Sequence, residues 1–211
     1  MNDPPKLDAR QYAPATLRNR EAILAVLQAV LPPGGTVLEI SSGTGEHAVF
    51  FSPHLQPRQW LPSDPNPIAV ASIAAWRSQM PSENLLPPLA LDVRDRPWIV
   101  ESMTLSEPIR AIVNINMIHI APWSACLELM AGAGRILPKD GILYLYGPFK
   151  QDGKHTAPSN AQFDQSLQRQ NQEWGVRDLE AVIAVAEAQN LAHLETVAMP
   201  ANNLSVVFQR L

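Results

Sequence analysis

The 211-residue sequence predicts an α/β fold: a seven-stranded, mostly parallel sheet with helices on both faces and an antiparallel hairpin at its C-terminal end. Short apolar runs alternate with segments whose apolar residues recur every three to four positions, the pattern of a parallel sheet covered on both sides. Residues 37–51, VLEISSGTGEHAVFF, join an apolar strand to a helix through a Gly-x-Gly turn. Two strand-like runs, 193–198 and 204–209, close the chain with only Met199-Pro-Ala-Asn-Asn203 between them. So short a connection makes a hairpin, and at least one of the pair must run against its neighbour.

Residues 1–15 read as an irregular arm. From 16 to 30, Leu17, Ile23, Leu24, Leu27 and Val30 form a helical stripe, which Pro32-Pro33-Gly34-Gly35 ends. A strand at 36–40, the glycine turn and a helix at 46–51 follow. The second strand is expected at 59–62, just before Asp64, and the next helix carries Ile68, Ala71, Ile73 and Trp76. Further strands fall at 89–93, 110–116 and 141–146, with helices at 124–137 and 179–188. The link 147–178 is long for a strand-to-helix connection, and long connections at a ligand-facing edge are often lids. No internal repeat or linker interrupts the chain, so 1–211 is expected to be one domain.

Composition narrows the class. Hydrophobic residues make up 46% and charged residues 17%, a globular balance. A net charge of −4 leaves no basic footprint for nucleic acid or an anionic membrane. The single cysteine, Cys126, forms no internal disulfide, and the five histidines lack metal-ligand spacing, so no metal is expected. No apolar stretch reaches the length of a membrane span, and the N-terminal residues lack an apolar signal core. The expected compartment is the cytoplasm.

The glycine turn implies a ligand that approaches backbone closely, since Gly43 and Gly45 have no Cβ to obstruct it. Gly43-Thr-Gly45-Glu-His-Ala48 fits a dinucleotide site, with Asp64 about 20 residues on as a ribose acid. Three features favour S-adenosylmethionine over NAD. Glu39 ends the first strand, where it can meet the ammonium group of a methionine moiety. Glu46 places a carboxylate where a pyrophosphate would seek the positive end of the helix dipole. The terminal hairpin is foreign to the usual dinucleotide fold. Asp64 offers two acceptor oxygens to a vicinal diol, although an N-cap before Asn66-Pro67 is the competing reading. Asp92 and Val93 suit an adenine ring; a solvated acid beside Arg94 is the alternative for Asp92. Ser41 lies within the turn and either contacts the ligand or satisfies backbone groups.

The sequence resembles a family of small, methyltransferase-like proteins with bacterial and animal members. The resemblance runs from Tyr12 to Arg210. It rests on Arg18-Asn19, the glycine turn, Pro62-Ser63-Asp64, Leu91-Asp92-Val93 and Asn114-Ile-Asn-Met-Ile-His-Ile-Ala-Pro-Trp123. Later matches are Tyr146-Gly-Pro-Phe149, Ser159-Asn160, Phe163-Asp164, Trp174-Gly-Val-Arg-Asp178 and Met199-Pro-Ala-Asn-Asn203. Ser41 stands where alanine is commoner and Glu46 where glutamine is. The resemblance implies a class I, Rossmann-like methyltransferase fold and S-adenosylmethionine as cofactor, with S-adenosylhomocysteine as product; it implies no substrate.

Ligands of open α/β sheets bind beyond the carboxyl ends of the strands. The expected cofactor contacts are Arg18, Asn19, Glu39, Ser41, Gly43, Gly45, Asp64, Asp92, Val93 and Asn116. Arg18 and Asn19 could equally make hydrogen bonds on a helix surface. His119 follows the fourth strand and is the candidate base, since an imidazole titrating near neutrality can deprotonate a hydroxyl or thiol. A satisfied histidine anchoring its loop is the competing reading. Tyr12, His47, Tyr146, Phe149 and Asn160 are the candidate substrate contacts. The absence of an Asn/Asp-Pro-Pro-aromatic sequence disfavours amino acceptors in nucleobases or glutamine. The sequence thus suggests a methyltransferase acting on a small molecule through oxygen or sulfur. Alternatives are a non-catalytic cofactor-binding regulator and an NAD-dependent oxidoreductase; oligomeric state is left open.

Overall fold

The computed structural model describes residues 8–211. The part of the expected arm at 1–7 lies outside the described residues. Helix α1 (Pro14–Val30) is started by Pro14, whose missing N–H costs nothing in a first turn. It buries Ile23, Leu24 and Leu27 of the stripe seen in the sequence, whereas Leu17, also expected there, is exposed. Strand β1 (Thr36–Ile40) is buried along its whole length, and the glycine turn leads into α2 (Glu46–His54). Then come β2 (Gln59–Asp64), α3 (Pro67–Gln79), β3 (Leu89–Ala90), β4 (Ile109–Ile115) and α4 (Trp123–Ile136). Asn66 caps α3 by accepting the Ile68 N–H at 2.9 Å.

Strand β5 (Ile142–Gly147) is followed by β6 (Phe149–Gln151), β7 (Lys154–His155), α5 (Pro158–Gln170) and β8 (Arg177–Asp178). The chain closes with α6 (Leu179–Glu187), β9 (Leu191–Met199) and β10 (Asn203–Arg210). The main sheet has the order β3-β2-β1-β4-β5-β10-β9. Its first five strands are mutually parallel, and β10 runs antiparallel to both β5 and β9. Helix α1 and α2 pack with Phe51 and Trp60 on one face; α4 and α6 pack with Trp98 and Leu129 on the other.

Two expectations are corrected. The third strand stops at Ala90 because Asp92 turns the chain: its carboxylate accepts the Arg94 N–H at 2.9 Å, while Leu91 and Val93 enter the core. The stretch 147–178 contains α5 and a separate sheet of order β7-β6-β8, so it is a folded cap rather than a bare loop.

The order reverses between β1 and β4, which lead to β2 on one side and β5 on the other. That switch point opens a crevice at the carboxyl ends of the strands. The glycine turn leaves β1 there, and Asn116 leaves β4.

Candidate functional site

Three residues of the turn are left-handed: Ser41 (φ 57°), Gly43 (φ 57°) and Gly45 (φ 90°). Ser41 has a Cβ, so this conformation stores roughly 1 kcal/mol of strain, a common mark of functional turns. The two glycines serve different purposes. A Cβ on Gly45 would stand 2.8 Å from the Ile73 Cα, so Gly45 exists to let α2 approach α3. A Cβ on Gly43 would meet nothing within 4 Å. Space for a Cβ is thus left open at Gly43, while at Gly45 the missing Cβ serves helix packing.

Asp64, at the end of β2, braces this turn. Its Oδ2 accepts the Gly43 N–H at 3.0 Å and its Oδ1 accepts the Asn66 N–H at 2.9 Å. Burial pushes its pKa up, against those two backbone hydrogen bonds. Asp64 is not the N-cap of α3, a place that Asn66 takes; it holds the glycine turn and the backbone N–H of that cap residue.

Glu39 lies below the turn and is 1% exposed. Its Oε2 accepts the Trp60 indole N–H at 3.0 Å, and burial pushes its pKa up to about 7 despite that bond. Asn114 donates to the Ile40 carbonyl at 3.0 Å, while its Oδ1 is buried without a hydrogen-bond partner among the described residues. Asn116 is left-handed (φ 66°), a conformation asparagine tolerates, and reaches the cleft. Asp92 pairs with Arg94 at 2.6 Å, which holds its carboxyl below the usual range. Val93 packs inside the core, so its side chain is not an open adenine wall.

A cleft of about 700 Å³ opens at the carboxyl ends of β4 and β5; of the expected cofactor contacts Arg18, Asn19 and Asn116 line it, while Glu39, Ser41, Gly43, Gly45, Asp64, Asp92 and Val93 do not. Helix α1 contributes Ala15, Arg18 and Asn19; the ends of β4 and β5 contribute Asn116, Ile120, Tyr146 and Pro148. Helix α5 adds Ser159, Asn160 and Phe163, the turn between β9 and β10 adds Pro200, Ala201 and Asn202, and β10 adds its first residue, Asn203. Among the described residues Arg18 is the only charged residue in this lining, which holds no histidine or carboxylate. Asn202 and Asn203 escaped the sequence reading. The available signal was the Asn202-Asn203 pair at the hairpin connection, which the structure makes three residues long, Pro200–Asn202, with Ala201 (φ 57°) and Asn202 (φ 59°) both left-handed.

Of the expected substrate contacts, Tyr146 and Asn160 line the cleft. Tyr146 has its pKa raised by burial, against hydrogen bonds with Asn19 and Asn203. Asn160 donates to Thr156 Oγ1 at 3.1 Å and to the Asn202 carbonyl at 2.9 Å, tying α5 to the hairpin turn. His47 stands behind Asn19, with Nε2 and Oδ1 2.9 Å apart, and stacks on Phe51. Phe149 is wholly buried and offers the cleft no surface. Tyr12 is 62% exposed and packs edge-on against Trp76, away from the cleft lining.

His119 is 0% exposed and packs edge-on against Phe149. Its Nδ1 accepts the Arg177 N–H at 3.4 Å, which leaves the proton on Nε2, a buried atom with no hydrogen-bond partner among the described residues. Burial, helped by the Arg177 charge, pushes its pKa down to about 3. In this conformation the ring supports the wall behind Asn116 and has no open path to a substrate proton.

Asp164 organises the cap. Its Oδ2 lies 3.1 Å from both Lys150 Nζ and His155 Nε2, and its Oδ1 accepts the Val176 N–H at 2.8 Å. On the opposite side the described part of the arm crosses the glycine turn. Gln11 N–H donates to Ser72 Oγ at 2.8 Å, which donates to the Thr44 carbonyl at 2.7 Å. Ala13 N–H donates to Glu46 Oε2 at 2.5 Å. Glu46 thus holds the arm while occupying the first turn of α2. Among the described residues no three or more metal-ligating side chains cluster, and no helix is long and apolar enough to cross a membrane.

This strand order, with a left-handed glycine turn at the switch point, defines a class I methyltransferase fold. Solved structures agree on the fold. Human N-acetylserotonin methyltransferase in complex with SAM (S-adenosylmethionine) superimposes with a TM-score of 0.75 at 11% identity, over 93% of this chain and 52% of that one. The mitomycin 7-O-methyltransferase MmcR gives 0.74 at 12% identity, over 93% and 54%. An O-methyltransferase family 2 protein from Planctomyces limnophilus in complex with apigenin gives 0.70 at 17%, over 91% and 62%. The chain thus spans between half and two thirds of the length of these proteins. Residues 10–210 match the family model described as "Protein of unknown function (DUF938)", and the chain belongs to that family.

Proposed function

We propose that the protein is an S-adenosylmethionine-dependent methyltransferase acting on a small molecule, with oxygen or sulfur as acceptor. The observation that carries this reading is the open, left-handed Gly43 braced by Asp64 at the switch point; a cleft of about 700 Å³ opens at the ends of β4 and β5. The chain's residues fit the cofactor. Gly43 leaves room for the methionine portion, and the buried Asn114 Oδ1 is an acceptor in search of a donor such as its ammonium group. Asp64 keeps lone pairs for the ribose hydroxyls beyond the two backbone bonds it accepts. Asn116 lines the cleft, Ser41 belongs to the left-handed turn, and Asp92, although paired with Arg94, retains acceptor capacity for an adenine amino group. Glu39 contributes from beneath the turn.

When bound, the cofactor supplies a methyl group on a sulfonium, whose sulfur leaves as a neutral thioether. The chain's task is alignment: Asn116, Tyr146 and Asn160 hold an acceptor against the crevice, about 3–3.5 Å from the methyl and in line with it. Asp164 keeps the cap folded over that position, and His119 is a positioning residue for the Asn116 turn. The cytoplasm remains the proposed compartment, supported by a single buried cysteine, Cys126.

Incubation with methyl-labelled S-adenosylmethionine and a metabolite extract tests the proposal. Label should appear in a small-molecule product, and D64A should lower it at limiting S-adenosylmethionine. Burial of His119 favours one second reading, a cofactor-binding regulator without transfer. Tight S-adenosylhomocysteine binding with no labelled product from any extract would select that reading.

A further inference from the structure

We infer that the cleft takes a small carboxylic acid whose methyl acceptor is a thiol. The inference rests on the methyltransferase reading of the same site. Its first support is charge. Arg18 is exposed, lines the cleft, and has no hydrogen-bond or salt-bridge partner among the described residues. No carboxylate in the lining neutralises it, so the cleft is cationic in a chain whose net charge is −4. A guanidinium placed this way matches a carboxylate through two parallel hydrogen bonds.

Shape and polarity give the second support. Ile120, Pro148 and Phe163 make an apolar wall, and Asn19, Asn202 and Asn203 surround the rim with neutral donors and acceptors. An amine substrate would find no counter-charge here. A flat or branched apolar body with one acidic end satisfies both surfaces.

The acceptor follows from what the cleft lacks. No histidine or carboxylate lines it, His119 is sealed, and the Tyr146 hydroxyl holds its proton more tightly than usual. With no base, the acceptor must ionise by itself. An aliphatic thiol is about a few per cent thiolate at neutral pH and strongly nucleophilic in that form, whereas an aliphatic hydroxyl stays protonated. The thiol proton passes to water. The thiolate electron pair then forms the new sulfur–carbon bond as the methyl–sulfonium bond breaks, and the electron pair of that bond returns to the cofactor sulfur.

Three matched probes test this: para-mercaptomethyl benzoate, para-hydroxymethyl benzoate and benzyl mercaptan. Each is titrated calorimetrically into the protein saturated with S-adenosylhomocysteine. The two acids should bind at least about tenfold more tightly than the neutral thiol. R18A should bring them down to its level and R18K should fall between, with melting temperature unchanged because Arg18 is exposed. With S-adenosylmethionine, mass spectrometry should show methyl addition to the mercapto acid and not to the hydroxy acid.

Equal binding of benzyl mercaptan and the acids, or failure of both acids to bind, overturns the inference. So does equal methylation of the hydroxy acid. If R18A weakens S-adenosylhomocysteine by the same factor as the acids, Arg18 reads the cofactor's carboxylate and the inference falls. If wild-type protein binds no S-adenosylhomocysteine, the methyltransferase reading fails instead. Titration of the acids into the free protein then decides the cleft's anion preference alone.

Discussion

The imidazole of His119 occupies the space that a side chain at Gly147 would need: a Cβ there would stand 2.4 Å from Nε2. Gly147 ends β5, and the turn after β4 leans on it through this ring. G147A should therefore cost about 1–3 kcal/mol in urea denaturation, since the core has no room for the extra carbon. H119A should cost about 2–4 kcal/mol by leaving a cavity. A positioning role also predicts that wild-type turnover shows no inflection between pH 6 and 7, because the ring titrates near 3. An inflection there that vanishes in H119A would restore the base assignment.

The glycine turn separates fold from binding. G45A meets Ile73 at 2.8 Å and carries φ 90°, so it should lose about 2–4 kcal/mol of stability. G43A meets nothing and should lose only about 1–2 kcal/mol, from its left-handed backbone. Its S-adenosylhomocysteine affinity should nevertheless fall by about tenfold or more, because the new Cβ points into the crevice. Equal stability losses in the two variants would contradict this division of labour.

Stability should vary with pH in opposite directions on two sides. Glu39 titrates near 7 in the fold against an ordinary value of 4.5, so it stabilises below 4.5 and that contribution is lost as pH rises through 7. His119 and His47 titrate near 3 and 4 against 6.5; their contribution is complete above 6.5 and is lost as pH falls towards those values. Relative to wild type, E39Q should gain roughly 1–3 kcal/mol between pH 5 and pH 8. A difference that does not change with pH would mean Glu39 is ionised throughout.

Asp164 joins Lys150, His155 and the Val176 N–H. D164A should destabilise by about 2–4 kcal/mol and make the cap the first site of limited proteolysis. D164N, which keeps an acceptor for Val176, should lose less. Unchanged proteolysis in D164A would show that the cap is held elsewhere.

Much of this architecture is legible in the sequence, and the failures have physical causes. The buried strands β1, β4 and β5 announce themselves by continuous apolar runs, and their alternation with helices implies a parallel sheet, whereas the strand order comes from the structure. Helix α5 buries only Asn160, Asp164 and Leu167, so it has no apolar stripe for periodicity to find. The glycine turn was visible as a motif. That Gly45 serves packing and Gly43 serves access depends on Ile73, 28 positions downstream of Gly45, which no local pattern reveals. Arg18, Asn19, Asn116, Tyr146 and Asn160, singled out from the sequence, line one cleft, which the glycine turn and the acids Glu39, Asp64 and Asp92 do not. Asn202 and Asn203 were not, because only the antiparallel insertion of β10 beside β5 swings their turn over it.

Isothermal titration of the purified protein with S-adenosylhomocysteine and, separately, with NAD weighs the whole account. It should return one site per chain for the thioether nucleoside, weakened about tenfold or more in D64A, and no heat of binding for the dinucleotide. A silent thioether titration, or a saturable NAD isotherm, would contradict it.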